Sequence, residues 1–373
     1  MRRMVFGEAH EAFRTDVRDF IHSDVVPAYP EWEVRGQPGQ RFWQRAAEVG
    51  ILGIGVPEIY GGLPGSSFTH SVIVTEEIQR EFLAVGGLRV HTDICMPYFL
   101  KYASEEQKRR WLPRLTGGSA VVALGLSEPG AGSDLKAMST RAVREGDHYV
   151  VNGAKTFISN GAAANLVILA VKTDPAAGRH GISLLVVDGA SDGFHRGRSL
   201  DKLGLKAQDL AELSFTDLHV PVRDLLGEEN RGFDYLTSNL AQERLSIAVN
   251  SQAGSAAALE HTTALLRERR PGQHAKFELA ACAAEAQAGQ TLVDHALLEL
   301  EAGELSAADA AMAKLYCTEL QGRVVDRCLQ LLGPSAYTKS GRLGRAYLDG
   351  RVSRIYGGSS EIMKVIVGHG LGL

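Results

Sequence analysis

Apolar residues recur at helical spacing from Phe6 to about Leu115: Phe13, Val17, Phe20 and Ile21 share one face, and Val72, Ile73 and Ile78 another. Steps of three and four residues predict amphipathic helices. Tyr60-Gly61-Gly62-Leu63-Pro64-Gly65 supplies a turn between them. Ser104, with Gln107 three residues on, predicts a capping box opening the helix that carries Trp111. The texture changes near Val121. Val121–Leu124, Tyr149–Val151, Leu166–Val171, Ile182–Val187 and Leu213–Phe215 are short β-prone runs punctuated by Gly, Asp and Asn. No long helical segment lies among them, which argues against a doubly wound parallel sheet and predicts an antiparallel barrel or sandwich. After Gly227-Glu228-Glu229-Asn230 helical texture returns, and Ala253–Ala313 is rich in the helix formers Ala, Leu, Glu and Gln, spaced for a packed bundle. The pattern predicts an α+β multi-domain chain: an N-terminal helical domain over 1–120, a middle β domain over 121–228 and a C-terminal helical-bundle domain over 229–373.

Composition narrows the function classes. The 373 residues suit two to three domains. Forty Lys+Arg stand against 44 Asp+Glu, so nothing in the charge calls for a nucleic-acid or anionic-membrane partner. A hydrophobic share of 45% with 23% charged residues excludes wholesale disorder. No apolar run approaches the roughly 20 residues of a membrane span. Met1-Arg2-Arg3-Met4 leads into a charged amphipathic segment rather than a signal-peptide core. Cys95, Cys282, Cys317 and Cys328 form neither a CxxC pair nor a disulfide scaffold, so a reduced, cytoplasmic protein is expected. Histidines at metal-ligand spacing and a GxSxG elbow are both lacking, leaving metalloenzyme and hydrolase readings without support.

Four segments carry candidate chemistry. Ser127-Glu128-Pro129-Gly130-Ala131-Gly132-Ser133-Asp134 combines glycines that permit close backbone approach with hydroxyl donors. It is not a dinucleotide fingerprint, because the third glycine position holds Leu135. By itself it reads equally as a glycine turn. Phe157-Ile158-Ser159-Asn160-Gly161 offers an aromatic ring and a hydroxyl at a strand end, where an ordinary Asn-Gly turn is the plainer reading. Arg354-Ile355-Tyr356-Gly357-Gly358-Ser359-Ser360-Glu361-Ile362 sets paired glycines before a Ser-capped helix, which could present N–H groups to an anion. Gln242-Glu243-Arg244-Leu245 lies within a helical stretch, where a lone Glu is ordinarily solvated or paired with Arg.

Taken together and in this order, these segments resemble the acyl-CoA dehydrogenase family over nearly the whole chain. Leu126–Asp134 and Val151-Asn152-Gly153-Ala154-Lys155 through Gly161 look like its flavin-loop signatures. Ser104–Lys108 with Leu112-Pro113, Leu226–Phe233 and Arg351–Ile362 match further family segments. The resemblance implies a helical domain, a β-barrel and a four-helix bundle, with FAD as cofactor. It implies that the backbone at Leu124 and Leu126 and the Ser127 hydroxyl meet the flavin pyrimidine edge, that Phe157 lies against the ring, and that Ser159 bonds near N5. Ser359 and Glu361 would approach FAD from the C-terminal domain, and Gln330 and Gly333 would belong to its adenylate end. Ser133 would position the thioester's pantetheine arm, Arg244 would lie toward its nucleotide end, and Tyr356 and Gly357 would line the substrate side. The implied reaction is α,β-dehydrogenation of an acyl-CoA or carrier-bound acyl thioester, with an electron-transfer flavoprotein as acceptor and a homodimer or homotetramer as assembly. Many members carry the base directly after the motif's Tyr. Here that slot is Gly357, and the long-chain and isovaleryl-type members that share this Gly place Glu in a Glu-Arg-Leu segment matching Glu243-Arg244-Leu245. The resemblance therefore implies Glu243 as base, with Glu361 the other candidate.

Three departures concern the adenylate end. Arg269-Arg270-Pro271-Gly272-Gln273-His274 stands where members have Phe-Gly and a longer connection. Pro334 and Ala336 interrupt a three-glycine pattern, and His369 fills a slot usually held by Arg. They bear on FAD affinity, the inter-subunit contact and the assembly. Two other functions stand beside the leading one: a flavin monooxygenase or oxidase on the same fold, whose members usually lack the carboxylate, and a partner subunit of a hetero-oligomeric dehydrogenase.

Overall fold

The apolar stripe of Phe13, Val17 and Phe20 becomes the buried face of the first helix, α1 (Glu8–Phe20). The computed structural model describes residue 1, residues 3–338 and residues 341–373, so Arg2 of the opening segment lies outside the described residues. Helices α2 (Tyr29–Arg35), α3 (Gln40–Glu48), α4 (Phe68–Arg80), α5 (Gly86–Arg89), α6 (Met96–Tyr102) and α7 (Glu105–Thr116) complete the N-terminal layer. A π-helical turn, Val90–Cys95, joins α5 to α6. The capping box forms: Gln107 N donates to Ser104 Oγ at 3.2 Å, and Ser104 N donates to Gln107 Oε1 at 2.9 Å. The Gln107 amide also donates to the carbonyls of Arg223 and Leu225, both at 2.8 Å, tying α7 to the middle domain.

Strands β1 (Val122–Gly125), β2 (Arg141–Glu145), β3 (His148–Ser159), β4 (Leu166–Lys172), β5 (Ile182–Asp188), β6 (Phe194–Ser199) and β7 (Leu210–Pro221) form one sheet. Its order is β1-β4-β2-β3-β7-β6, with β5 also pairing β4. Most pairings are antiparallel, as expected, but β1 runs parallel to β4, and β2 touches β4 in parallel at Arg141–Lys172. The long excursion through the glycine loop and the β2–β3 hairpin brings the chain back in its original direction. Strand β4 is an unbroken apolar run because both of its faces are covered. Leu166, Ile168 and Ala170 join Tyr98, Phe99 and Leu112, while Val167, Leu169 and Val171 join Val151, Leu213 and Phe215. β2 and β6 escaped the sequence pattern because each buries one residue, Ala142 and Phe194, and exposes the rest.

The C-terminal layer holds three long helices, α8 (Gly232–Glu268), α9 (Gln273–Ala302) and α10 (Ala307–Leu332), followed by α11 (Arg342–Arg351) and α12 (Ser360–Gly370). α10 packs along α8, α9 and α12, so α12 fills the fourth place of the bundle. α8 also meets α4, α6 and β5. A residue on its inner face thus sees all three layers.

Candidate active site

Glu243 occupies that face of α8. Its side chain is buried, and Oε1 accepts from Tyr98 Oη at 3.0 Å and from Asn239 Nδ2, one turn earlier on α8, at 3.2 Å. The π turn Val90–Cys95 makes this junction. A widened turn leaves carbonyls outside the regular helical ladder, and side chains of α8 use them: Gln242 donates to Asp93 O at 2.8 Å and Asn239 to Ile94 O at 3.3 Å. Ser246 Oγ donates to Asp93 Oδ2 at 2.6 Å. Burial pushes the Glu243 carboxyl above its ordinary range, against the pull of Tyr98, Asn239, Arg244 and Lys101. The Tyr98 phenol is raised well up by burial and by Glu243, so it stays a donor.

The next residue, Arg244, is buried, its Nε lacks a partner, and it makes no ion pair among the described residues. Lys314 of α10, also buried, donates to Gly358 O; burial and the Arg244 charge bring its ammonium down to about 8. Gly357 and Gly358 turn at φ +63° and +95°, and a Cβ at 357 would stand 2.3 Å from Ile247 Cδ1. The glycine turn therefore rests on α8 one helical turn past Glu243. Ser359 then caps α12 by accepting from Ile362 N at 3.4 Å. Glu361 is exposed, and N–H and hydroxyl donors at the start of α12 hold its carboxyl low. Tyr356 is half-buried.

The glycine loop begins where β1 ends, with Leu124 paired to Ile168 and with Leu126 and Ser127 half-buried. It is fastened to β3 from beneath. Glu128 Oε1 accepts from Lys155 Nζ at 2.8 Å and from Thr140 N at 3.0 Å, and Oε2 accepts from the backbone and hydroxyl of Ser139 at 2.6 and 2.7 Å. Thr156 N donates to Ser127 O at 2.9 Å. The register of β3 on β7 slips between Lys155–Leu213 and Ile158–Ala211, so two residues oppose one. Such a bulge re-aims a side chain. Phe157 sits in it at φ +57° and is 64% exposed, while its neighbours Thr156 and Ile158 are buried. Ser159 Oγ accepts from Gln208 at 2.9 Å, and Ser133 is exposed on the loop.

The structure thus brings Glu243 and Arg244 to the same stretch of α8 as the Gly357–Gly358 turn, through Ile247 and Lys314, and ties the loop at Ser127 to β3, the strand of Phe157 and Ser159. Gln330 and Gly333 lie at the far end of α10 from Lys314. Between Lys314 and Gln330 α10 advances about 24 Å. Sequence reading missed Tyr98, Asn239 and Lys314. Asn239 was findable, since i and i+4 share a helix face; Tyr98, 145 positions from Glu243, carried no such signal.

Phe157 is an open aromatic ring on a bulged strand, Gly130 and Gly132 of the loop have nothing within 4 Å of a would-be Cβ, and Glu243 is a buried carboxylate on α8. Family models of the acyl-CoA dehydrogenase N-terminal, middle and C-terminal domains match residues 7–119, 123–218 and 230–372. The chain is 39% identical over 374 residues to the long-chain specific acyl-CoA dehydrogenase, mitochondrial, of Sus scrofa, covering 98% of this chain and 87% of that one. An acyl-CoA dehydrogenase from Geobacillus kaustophilus superposes with a TM-score of 0.97 at 41% identity, covering 100% of both chains. A glutaryl-CoA dehydrogenase from Mycobacterium smegmatis, solved in complex with FADH2, matches with a TM-score of 0.89 at 25% identity, covering 98% of this chain and 95% of that one. The chain belongs to the acyl-CoA dehydrogenase family, oxidoreductases that act on the CH–CH bond of acyl thioesters. Among the described residues no helix is long and apolar enough to cross a membrane.

Proposed function

We propose that this chain dehydrogenates an acyl thioester at its α,β bond, with Glu243 removing the α-proton. The observation that carries this is the burial of Glu243 beside a glycine turn that offers no competing carboxylate. A desolvated carboxylate holds a proton more tightly and so works as a base nearer neutral pH, whereas Glu361 is exposed and held low by the donors around it. FAD, when bound, supplies the two-electron acceptor for the hydrogen leaving the β-carbon. The backbone of Leu124 and Leu126, Ser127, Phe157 and Ser159 would hold its ring, with Ser359 and Glu361 approaching from the C-terminal layer. Arg244 and Lys314 are buried cations that make no ion pair among the described residues, which favours an anionic thioester such as a CoA ester; Ser133 and Tyr356 would steer its arm.

The finer readings rest on the same footing. Electrons leave to an electron-transfer flavoprotein, and the assembly is a homodimer or homotetramer, supported by the distance of Gln330 and Gly333 from the rest of the site. Four buried, unpaired cysteines support work in the reducing cytoplasm.

The test is an absorbance spectrum of the purified protein, then anaerobic titration with a panel of acyl-CoAs. Bleaching by one thioester is expected. Flavin that stays oxidised with every ester overturns the CoA reading. Glu243→Gln should keep its flavin and lose roughly 10²–10⁴-fold in reduction rate; a wild-type rate removes Glu243 from the mechanism.

A further inference from the structure

Both donors that reach Glu243 reach the same oxygen. Tyr98 Oη stands 3.0 Å and Asn239 Nδ2 3.2 Å from Oε1, while Oε2 has no donor among the described residues. An oxygen accepting two hydrogen bonds has its lone pairs engaged, so an incoming proton goes to the other. We propose that Tyr98 is a positioning residue for this reaction: its hydroxyl fixes the Glu243 carboxylate so that Oε2 is the atom that receives the α-proton. The proposal rests on the reading of Glu243 as base.

Packing alone does not account for the hydroxyl. Tyr98 is 1% exposed, with Phe99, Trp111 and Leu112 in its apolar cluster, and those contacts need only a phenyl ring. A phenolic O–H in such surroundings costs free energy unless it finds a partner, and the partner it has is Glu243. The placement is built in, because the π turn sets where α6 begins and binds the same stretch of α8 through Gln242, Asn239 and Ser246. The charged and titratable groups facing the carboxylate are Arg244 on its own helix, Lys101 from α6 and Cys95 from the π turn, with Lys314 of α10 beyond Arg244. None of these is hydrogen-bonded to Glu243 among the described residues.

Tyr98 donates to the ionised form and so favours it. Without the hydroxyl the proton is held more tightly, and the acid limb of the rate profile moves to higher pH. The experiment uses the flavin-loaded full chain carrying Tyr98→Phe, with the flavin-bleaching rate at a saturating acyl-CoA followed anaerobically from about pH 5 to 9. We expect the limb to rise by about one pH unit and the plateau rate to fall about tenfold with KM within about twofold. Asn239→Ala, which strips the other donor from Oε1, should move the limb the same way. Fluorotyrosine at position 98, a stronger donor of nearly the same shape, should move it down, and it carries the test if Tyr98→Phe does not fold. An unmoved limb in Tyr98→Phe or fluorotyrosine protein overturns the proposal while leaving Glu243 as base, provided Glu243→Gln is inactive. An active Glu243→Gln overturns the base reading itself.

Discussion

At the scale of single residues, the polar groups that matter most are those whose charge the fold has committed. Glu128 and Lys155 are 2% and 0% exposed at the side chain and 2.8 Å apart. Burial opposes the Glu128 charge, yet Lys155, Thr140 and Ser139 outweigh it and hold the carboxyl down at about 2. Burial also brings Lys155 down to about 8 in spite of Glu128. A carboxyl lower in the folded state than in the unfolded one contributes stability above its unfolded value, 4.5, and loses it as pH falls toward 2. The melting temperature should therefore drop across that window, and less steeply in Glu128→Gln. At neutral pH this substitution leaves a buried ammonium without its counter-charge and should cost about 3 kcal/mol in denaturant unfolding. Glu128→Gln with Lys155→Met should recover part of that loss, because neither charge is then left alone. Full additivity of the two substitutions would show that the pair does not act as a unit.

Among elements, what could be read in advance followed from periodicity, and what could not followed from its absence. α1, α4 and the α8–α10 bundle announced themselves by spacing, and β4 and β5 by short, mostly apolar runs buried on both faces. β2 and β6 bury too little to leave a two-residue period, and the bulge at Phe157 depends on a register with β7 more than 50 positions away. The same division runs through the site. Glu243 and Gly357 were legible through resemblance and the local motif, whereas Tyr98 and Lys314 reach them only through tertiary packing. The Gly357–Gly358 turn gives this a measurable form. Ala at 357 must adopt φ +63° and press on Ile247, so Gly357→Ala should cost about 1–2 kcal/mol in unfolding free energy. Ile247→Val removes the Cδ1 that would be struck, so the double variant should lose less than the sum of the two. Strict additivity would place the cost in the backbone alone.

For the whole molecule, the proposed part of Gln330 and Gly333 in FAD binding meets a distance, because Gln330 lies about 24 Å along α10 from Lys314. Gly333 turns at φ 72° and ψ −158°, a conformation for glycine alone, and Gln330 is exposed beside it. We propose that this corner, with Gln330 exposed, completes a neighbour's site in a symmetric assembly. Complementation tests this. One variant, Glu243→Gln, lacks the base; the other, Gln330→Ala with Gly333→Ala, should fail to hold its neighbour's flavin. Each alone should be inactive at limiting FAD. Unfolded together and reassembled in equal amounts, they should regain about one quarter of wild-type activity, since half the sites carry an intact base and half of those meet an intact neighbour. If both corners instead served the flavin of their own chain, the chains with the base would lack flavin and the chains with flavin would lack the base. Mixing would then restore nothing, and the subunit-shared site would have to be given up.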